Sequence, residues 1–479
     1  MRIIGNRGNT ARKVQAVASG ALASGDTVIV NADGTVSVVA GAAEGVGSPV
    51  VFEAALIYNM AITYDSNTEK IVVAYRDMGN GGIGTAAVGT VSGTSISFGT
   101  PVVFETGEIT DTACTYDANA QKVVISYGND SNSGYGTAIV GTVSGTSISF
   151  GTAVVFESAS ATFTNSVYES NAQKVVIAYR DGGNSNYGTA IVGTVSGTNI
   201  SFGTPVVFES AFTLYIAITF DSNSNKVVIA YRDNVPDYGT AIVGTVSGTN
   251  ISFGTAVVYN TASSNWTSAT FDSNSNKVVI AYRDGGNSDH GTAIVGTVSG
   301  TGISFGTAVV FESAATSEPK AVFDSNANKV VISYVDGGNS YYGTIITGTV
   351  SGTSISFDDP IIFEEAVTNT FASTFDSSAN KVVTAYRDDG NSNYGTGIVF
   401  QTGSTNLTAE NYIGIASNGY ATGQAATINA KGFIDDNQSS LTAGQSYFVQ
   451  TNGDLGLTAA DPSVFAGTAV SATKLIVKG

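Results

Sequence analysis

The segment Lys226-Val-Val-Ile-Ala-Tyr-Arg-Asp233 decides the fold, because close copies of it occur seven times along the chain. The lysines that begin these copies are 52 residues apart, except for one interval of 51. They are Lys70, Lys122, Lys174, Lys226, Lys277, Lys329 and Lys381. Self-similarity at a fixed period of this size indicates a repeat architecture.

Each copy contains four short runs rich in Val, Ile, Thr, Phe and Tyr, separated by turns of Gly, Asn, Asp and Ser. Such runs are typical of β-strands, and the unit shows no helical period. A four-stranded unit of about 40 to 50 residues is typical of a β-propeller blade. The sequence therefore predicts an all-β chain with a seven-bladed β-propeller over residues 45–401, about 52 residues per blade.

The first blade is preceded by an extra strand. The run Val50-Val-Phe-Glu53 comes before the first lysine, whereas the last copy ends near Gln401 without its own version. We expect residues 48–54 to pair with Tyr394–Phe400, so that an N-terminal strand closes blade seven and leaves no open sheet edge.

Two kinds of side chain recur in the lysine-led strand. Both faces of that strand are apolar, which predicts that it lies between neighbouring blades. We interpret its tyrosine as a residue that packs in the interface between two blades. The tyrosine is present in every copy, at Tyr75, Tyr127, Tyr179, Tyr231, Tyr282, Tyr334 and Tyr386.

An arginine recurs in five copies, and we expect it to form a structural ion pair with the aspartate that follows it. The arginines are Arg76, Arg180, Arg232, Arg283 and Arg387.

Residues 1–44 and 402–479 lie outside the repeat and resemble each other in one stretch. Leu22-Ala-Ser-Gly25 aligns with Leu441-Thr-Ala-Gly444, and the turns Asp33-Gly34 and Asn452-Gly453 follow at matching distances. Asp-Gly and Asn-Gly turns favour β-hairpins. We expect both ends to form one discontinuous small β-barrel into which the propeller is inserted.

Composition excludes several classes of partner. The chain has 38 acidic against 20 basic side chains, a net charge of −18, which disfavours nucleic acid and anionic membrane surfaces. No apolar run is long enough for a membrane span or a secretory signal, so we expect no membrane insertion. A single cysteine, Cys114, excludes an internal disulfide and a cysteine-based zinc site.

The C-terminal segment carries a resemblance. The runs Asn411-Tyr-Ile-Gly-Ile-Ala416 and Ala466-Gly-Thr-Ala-Val-Ser-Ala-Thr-Lys-Leu-Ile-Val477 look like small β-barrels of tailed-phage virion proteins, including head-decoration and fibre-base modules. The likeness covers about 120 of the 479 residues. The repeat itself is similar to propellers of marine or cyanophage-like structural proteins. The resemblance implies a virion protein assembled in the host cytoplasm, a homo-oligomer with other virion proteins as partners, exposed on the particle.

The connections between blades differ from copy to copy, while the turns at the other end are nearly constant. Variable segments on a uniform scaffold usually carry recognition. Aromatic rings beside Asn, Ser and Thr suit the faces and hydroxyls of a sugar. The predicted ligand-binding residues are Trp266, Tyr215, Tyr58, Phe163, His290 and Tyr341. Trp266 could instead plug the channel or pack between blades.

Signals for catalysis, metals and cofactors are weak. The chain has one histidine and no nucleophile elbow, so we predict no catalytic residues and no cofactor. The run Asp221–Asn225 lacks the glycine and the distal glutamate of a calcium loop. Asp181-Gly-Gly-Asn184 favours an Asx-type turn. We predict no metal site, although the sequence leaves calcium at these turns open.

These observations favour a non-enzymatic virion protein whose propeller displays a variable face toward a host-surface glycan or receptor, as in a tail fibre. Two alternatives stay open. One is a capsid decoration or cement protein with a mechanical role. The other is a glycan-cleaving propeller enzyme, since acidic residues are plentiful.

Overall fold

The computed structural model describes residues 2–4, 13–460 and 462–478. The chain divides into two compact units, Met1–Glu44 with Thr402–Gly479 and Gly45–Gln401. The described residues form β-strands and three short 3₁₀ helices, at Met78–Asn80, Asp130–Asn132 and Asp389–Asn391. The predicted all-β class is confirmed. No helix in the described part of the chain is long and apolar enough to cross a membrane.

Four kinds of strand recur in the 45–401 unit. The long strands are Val50–Asp65, Val102–Asp117, Val154–Glu169, Val206–Asp221, Val257–Asn260 with Ser264–Asp272, Val309–Asp324 and Ile361–Asp376. The lysine strands are Lys70–Asp77, Lys122–Asn129, Lys174–Asp181, Lys226–Asp233, Lys277–Asp284, Lys329–Asp336 and Lys381–Asp388. The third strands are Ile83–Ser92, Tyr135–Ser144, Tyr187–Ser196, Tyr238–Ser247, His290–Ser299, Tyr342–Ser351 and Tyr394–Gln401. The fourth strands are Ser95–Phe98, Ser147–Phe150, Asn199–Phe202, Asn250–Phe253, Gly302–Phe305 and Ser354–Phe357.

The strands of each repeat pair in antiparallel order. The second half of the long strand pairs with the lysine strand, the lysine strand with the third, and the third with the fourth. The first half of the next long strand pairs with the same third strand. Each long strand therefore leaves one sheet and enters the next. In the last repeat the third strand pairs with Gly45–Val46 and with the first half of Val50–Asp65, the pairing expected for this segment.

The variable connections between blades are mostly strands. Six of the seven long strands run unbroken for 16 residues through this segment. In the fifth repeat the strand is interrupted at residues 261–263. The strand stays extended because its first half pairs with the third strand of one sheet and its second half with the lysine strand of the next.

The core of each sheet is the lysine strand. All five residues from Val227 to Tyr231 are 0% exposed, so this strand is buried on both faces, as predicted. Since neighbouring side chains point to opposite faces of a sheet, each strand contributes apolar residues to two adjacent interfaces.

The recurring tyrosine packs at the junction between neighbouring sheets, which confirms its predicted role. Tyr231 lies between Phe208 and Glu209, with its ring centroid 5.2 Å from that of Phe208. Its hydroxyl donates a hydrogen bond of 2.9 Å to Glu209 Oε2. The same Tyr–Glu bond, 2.9 to 3.1 Å long, occurs at six of the seven junctions of the fully described 45–401 unit. In the fifth repeat Asn260 stands at the glutamate position. The glutamate partner was missed from the sequence.

The arginines do not pair with the aspartate that follows them. Arg283 forms an ion pair with Asp289, and Arg387 Nε donates to Asp389 Oδ1 at 2.5 Å. Consecutive residues of a strand point to opposite faces, so an arginine cannot reach its immediate neighbour's side chain. The neighbouring aspartates cap turns instead.

The Asp-rich turns are closed by hydrogen bonds to their own backbone. Asp181 Oδ1 accepts the N–H groups of Gly183 and Asn184 at 2.9 and 3.1 Å, which confirms the Asx-type turn. Asp221 Oδ1 likewise accepts those of Asn223 and Ser224 at 2.9 and 3.0 Å. Among the described residues no three His, Cys, Asp or Glu side chains cluster as they would around a metal ion.

The unit built from both ends contains two larger sheets. The strand order in the first is Arg2–Ile4, Lys13–Val17, Ala425–Asn429, Tyr412–Ala416, Thr27–Val30 and Val36–Val38. The order in the second is Ile434–Asp435, Lys474–Val477, Val464–Ser471, Ser446–Val449 and Leu455–Gly456. A two-stranded piece joins Gly41–Ala42 to Ser404–Thr405. Both predicted hairpins are present, with φ of 81° at Gly34 and 91° at Gly453.

These sheets do not form the closed barrel that we expected from the sequence. Ile29 and Ile415 of the first sheet share one core cluster with Val449, Ala466 and Leu475 of the second. The two sheets therefore pack face to face. The physical reason is that each sheet supplies its own apolar face, so stacking buries both without strands that bridge the sheets.

We predict that the Tyr–Glu bond stabilises each junction. Replacing Glu209 with Ala removes the acceptor of the buried Tyr231 hydroxyl and is expected to lower the free energy of unfolding by about 1 to 3 kcal/mol. Glu209→Gln keeps an acceptor oxygen and is the matched control, with a smaller loss. Chemical denaturation followed by circular dichroism measures both; equal losses for the two variants would contradict the assigned role of the bond.

We also predict that the 45–401 unit is more stable in mild acid. Burial raises the pKa of Glu53, Glu157, Glu209 and Glu364 above the ordinary value of 4.5. A raised pKa means that the folded state binds these protons more tightly, so their stabilising contribution is present below pH 4.5 and is lost as pH rises through the folded pKa. The free energy of unfolding should therefore rise as pH falls from 7 toward this range.

A variant with all four glutamates replaced by Gln is the control for this pH dependence. It should show a flatter profile between neutral and mildly acidic pH. An unchanged slope would assign the pH dependence to other acidic groups.

Candidate functional site

A β-bulge occurs at the same place in all seven repeats. In the fourth repeat Leu214 pairs with Arg232 and Ala217 with Ala230, so Tyr215 and Ile216 stand opposite the single residue Tyr231. The same register shift recurs in the other long strands. β-Bulges redirect side chains and are enriched next to functional sites.

The first residue of each bulge has a left-handed backbone. These seven bulge residues have φ between 47° and 53°, and none is glycine. They are Asn59, Asp111, Phe163, Tyr215, Trp266, Glu318 and Thr370. A left-handed conformation costs an L-residue about 1 to 2 kcal/mol, least for Asn and Asp. Strain of this kind, repeated in every repeat, is a reason to look for function at this position.

The bulges surround a cavity of about 370 Å³. Residues from all seven long strands line it. All seven bulge residues are half-buried. Just before the bulge, Thr213 pairs with Asp233, which is the last residue of its lysine strand. The bulges therefore lie at the end of the sheets where loops join the lysine strands to the third strands. The site therefore lies at the sequence-variable end of the sheets.

Three consecutive repeats place aromatic rings at the bulge. Phe163, Tyr215 and Trp266 all line the cavity, and we call them the aromatic arc. The ring centroids of Phe163 and Tyr215 are 5.4 Å apart, and those of Tyr215 and Trp266 are 5.8 Å apart. These tilted contacts hold the three rings in one continuous surface.

Arginines from the lysine strands lie over these rings. The guanidinium of Arg180 is 4.8 Å from the Phe163 centroid, and that of Arg283 is 4.9 Å from the Trp266 centroid. Cation–π contacts of this length are attractive and restrict the orientation of the rings. The arc is therefore ordered before any ligand arrives.

Two bulge residues are acidic and bond to the neighbouring repeat. Glu318 Oε2 accepts the backbone N–H of Phe371 at 3.0 Å. Burial raises the pKa of Asp111, opposed by a backbone hydrogen bond from Phe163 and by the charge of Arg180. Both carboxyl groups thus connect adjacent long strands around the cavity.

The structure brings together three of the six side chains predicted from the sequence. Phe163, Tyr215 and Trp266 form the aromatic arc. Tyr58 precedes the bulge residue Asn59, and Arg387 lies 5.0 Å from its ring centroid. His290 and Tyr341 are outside the cavity lining. His290 begins a third strand, and Tyr341 is a 56%-exposed loop residue.

Four bulge residues and one lysine were missed from the sequence. The bulge residues are Asn59, Asp111, Glu318 and Thr370, which are outside the cavity lining, and the lysine is Lys320, which is part of it. A signal was present: each bulge residue occupies the same column as Trp266 when the seven repeats are aligned with one another. The bulge itself depends on the register between two strands, which the alignment of the repeats does not show.

No family model matches the chain, and no curated protein matches its sequence. Among solved structures, the BP39L lectin of Burkholderia pseudomallei has a TM-score of 0.53 and 11% identity, covering 75% of this chain and 99% of the lectin. AofleA of Arthrobotrys oligospora has a TM-score of 0.42 and 11% identity over 69% of this chain and 94% of its own. The leech intramolecular trans-sialidase has a TM-score of 0.43 and 8% identity over 74% and 68%. The likeness to the first of these propeller structures shows that the chain has a β-propeller type of fold.

Proposed function

We propose that the 45–401 unit is a seven-bladed β-propeller, one blade for each of its sheets, and that it binds a host-surface glycan at the aromatic arc. The observation that carries the proposal is the set of three aromatic side chains from consecutive repeats, held at strained bulges around one cavity. The propeller lectins with a similar fold are consistent with this function.

The chemistry of the cavity suits a sugar. Aromatic rings pack against the apolar C–H face of a pyranose, while hydroxyl and amide groups bond to its hydroxyls. Asn165, Thr267 and Ser268 line the cavity beside the arc. The Ser268 Oγ accepts the backbone N–H of Ala321 at 3.0 Å and can donate its own hydroxyl proton to a ligand. Its volume of about 370 Å³ is within the usual range for small-molecule sites.

The fold does not require aromatic residues at these bulges. Asn59 and Thr370 occupy the same position in other repeats with the same backbone conformation. The empty volume is present with the side chain of Trp266 in place, which argues against the alternative that Trp266 plugs the channel. The backbone of the bulge therefore does not require aromatic side chains, although the rings of the arc also pack against one another across repeats.

Binding without catalysis is the simpler function for this site. The single histidine, His290, does not line the cavity, and Glu318 is held by the Phe371 N–H. A glycan-cleaving enzyme would need a carboxyl pair placed on either side of the scissile bond. Release of reducing sugar from host polysaccharide by the purified protein would overturn the non-enzymatic proposal.

We further propose that the unit formed by both ends docks on a tailed-phage particle, with other virion proteins as partners. The support is the likeness of residues 411–416 and 466–477 to virion β-domains. In this arrangement the propeller faces the host surface.

We predict that replacing the arc abolishes glycan binding without unfolding the protein. In the triple variant F163N/Y215N/W266N each residue becomes the one found at Asn59, which tolerates the left-handed backbone. Each ring is worth about 1 kcal/mol, so affinity for host cells or glycans should fall about 100-fold. Pull-down on host cells and a glycan array measure the loss.

Tyr341→Asn is the matched control, because Tyr341 is exposed outside the cavity and Asn186 and Asn393 occupy its position in other repeats. It should bind as the native protein does. Unchanged binding by the folded triple variant would contradict the site assignment.

Immunogold labelling of intact particles tests the virion proposal. Label at the tail or at fibre tips is expected for a receptor-binding protein. Even label over the head would instead indicate a decoration or cement protein, and absence of label on any particle would contradict the virion role.

A further inference from the structure

One cationic side chain, Lys320, lines the cavity at a position where most repeats have a small residue. Lys320 lines the cavity from the sixth repeat, two residues after the bulge residue Glu318. Its counterparts in the other repeats are Ala61, Ala113, Asn165, Ala217, Ser268 and Ala372. The scaffold is therefore built with alanine at four of these positions, and a lysine there is not needed for folding.

The Lys320 ammonium has few partners in the protein. None of the ion pairs or hydrogen bonds found among the described residues involves its Nζ. Burial lowers the pKa of Lys320, opposed by the charge of Glu318. Glu318 is itself held by the Phe371 N–H at 3.0 Å. Lys320 is half-buried, and a partly desolvated cation that forms none of these contacts would gain from an acceptor supplied by a ligand.

Lys320 and the aromatic arc border the same space. Trp266 belongs to the fifth repeat and Lys320 to the sixth, and both line the cavity. A ring-shaped ligand that stacks on Tyr215 and Trp266 can therefore direct a substituent toward the ammonium. The substituent that best matches an ammonium in a confined site is an anion.

The charges around the cavity favour one carboxylate over a strongly anionic group. Glu318 and Asp111 flank the arc on either side, and the whole chain has a net charge of −18. This negative field repels sulfated or phosphorylated polymers more strongly than a sugar with one negative charge, so a single carboxylate is the anion that a single lysine suits best.

We propose that the cavity binds a sugar that carries a carboxylate, with the sugar face on the aromatic arc and the carboxylate at the ammonium of Lys320. The inference rests on the proposed glycan-binding function and specifies its ligand class. Hexuronic acids and sialic-type acids both present this chemistry.

The test uses the full chain and sugars that differ in one group. Methyl β-glucuronide and methyl β-glucoside differ only by a carboxylate in place of a hydroxymethyl group, and galacturonide with galactoside and a methyl sialoside extend the panel. Trp266 is the single tryptophan of the chain, so its fluorescence reports on this cavity. At least one carboxylated sugar should bind about tenfold or more tightly than its neutral partner.

Lys320→Ala provides the decisive variant, because alanine is the residue at the same position in four other repeats. It should lose the preference for the carboxylated sugar and keep the weak binding of the neutral one. Lys320→Arg should retain part of the preference. The responding sugar identifies hexuronic or sialic-type acids as the source of the carboxylate.

Two results would overturn the inference. One is equal binding of charged and neutral sugars, or a preference that survives in Lys320→Ala; glycan binding at the arc would then stand without the carboxylate. The other is absence of a response to every carboxylated sugar at millimolar concentration. Failure of the proposed glycan-binding function gives a different result. In that case the triple variant of the arc would bind host cells with the same affinity as the native protein.

Discussion

The junction between neighbouring sheets is the contact on which the 45–401 unit depends. At six junctions a tyrosine hydroxyl bonds to a glutamate of the preceding long strand, and phenylalanine rings pack around the tyrosine. Aromatic pairs contribute about 0.5 to 1.5 kcal/mol each beyond the area they bury, and the hydrogen bond satisfies a hydroxyl that burial would otherwise leave unpaired. Since each sheet shares apolar clusters with the sheet on either side, its burial depends on both neighbours. The glutamates reduce the stability that the junctions provide at neutral pH, because burial raises the pKa of several of them and makes their ionised form costly.

The side chains at the junctions are nearly the same in all seven repeats. Differences in sequence between the repeats therefore occur mainly at positions outside the junctions. The bulge residue has the same left-handed backbone in all seven repeats, and in three consecutive repeats its side chain lines the cavity. The side chains at this position range from Asn and Thr to Trp, while the backbone stays constant. One backbone conformation thus accepts very different side chains at the same position of the repeat. The aromatic arc occupies three adjacent positions, and acidic residues stand on either side of it.

The two ends of the chain form a unit whose sheets combine strands from both. Strands from residues 13–38 and 412–429 pair in one sheet, so neither end completes that sheet alone. This unit therefore needs both ends of the chain. Its two sheets stack through a shared apolar cluster, which explains why the hairpins were predicted correctly and the closed barrel was not.

The sequence by itself determined the strands, the repeat, the hairpin turns and the buried tyrosine, because each depends on local propensity and on a period that the chain repeats seven times. Pairing of residues 50–56 with 394–397 also followed from counting strands. Only the tertiary structure decided which variable residues meet. Phe163, Tyr215 and Trp266 are about 50 residues apart in the chain and become neighbours because successive long strands stand side by side. The bulge, the partners of the arginines and the position of Lys320 depend on register between strands, which single-residue preferences do not encode.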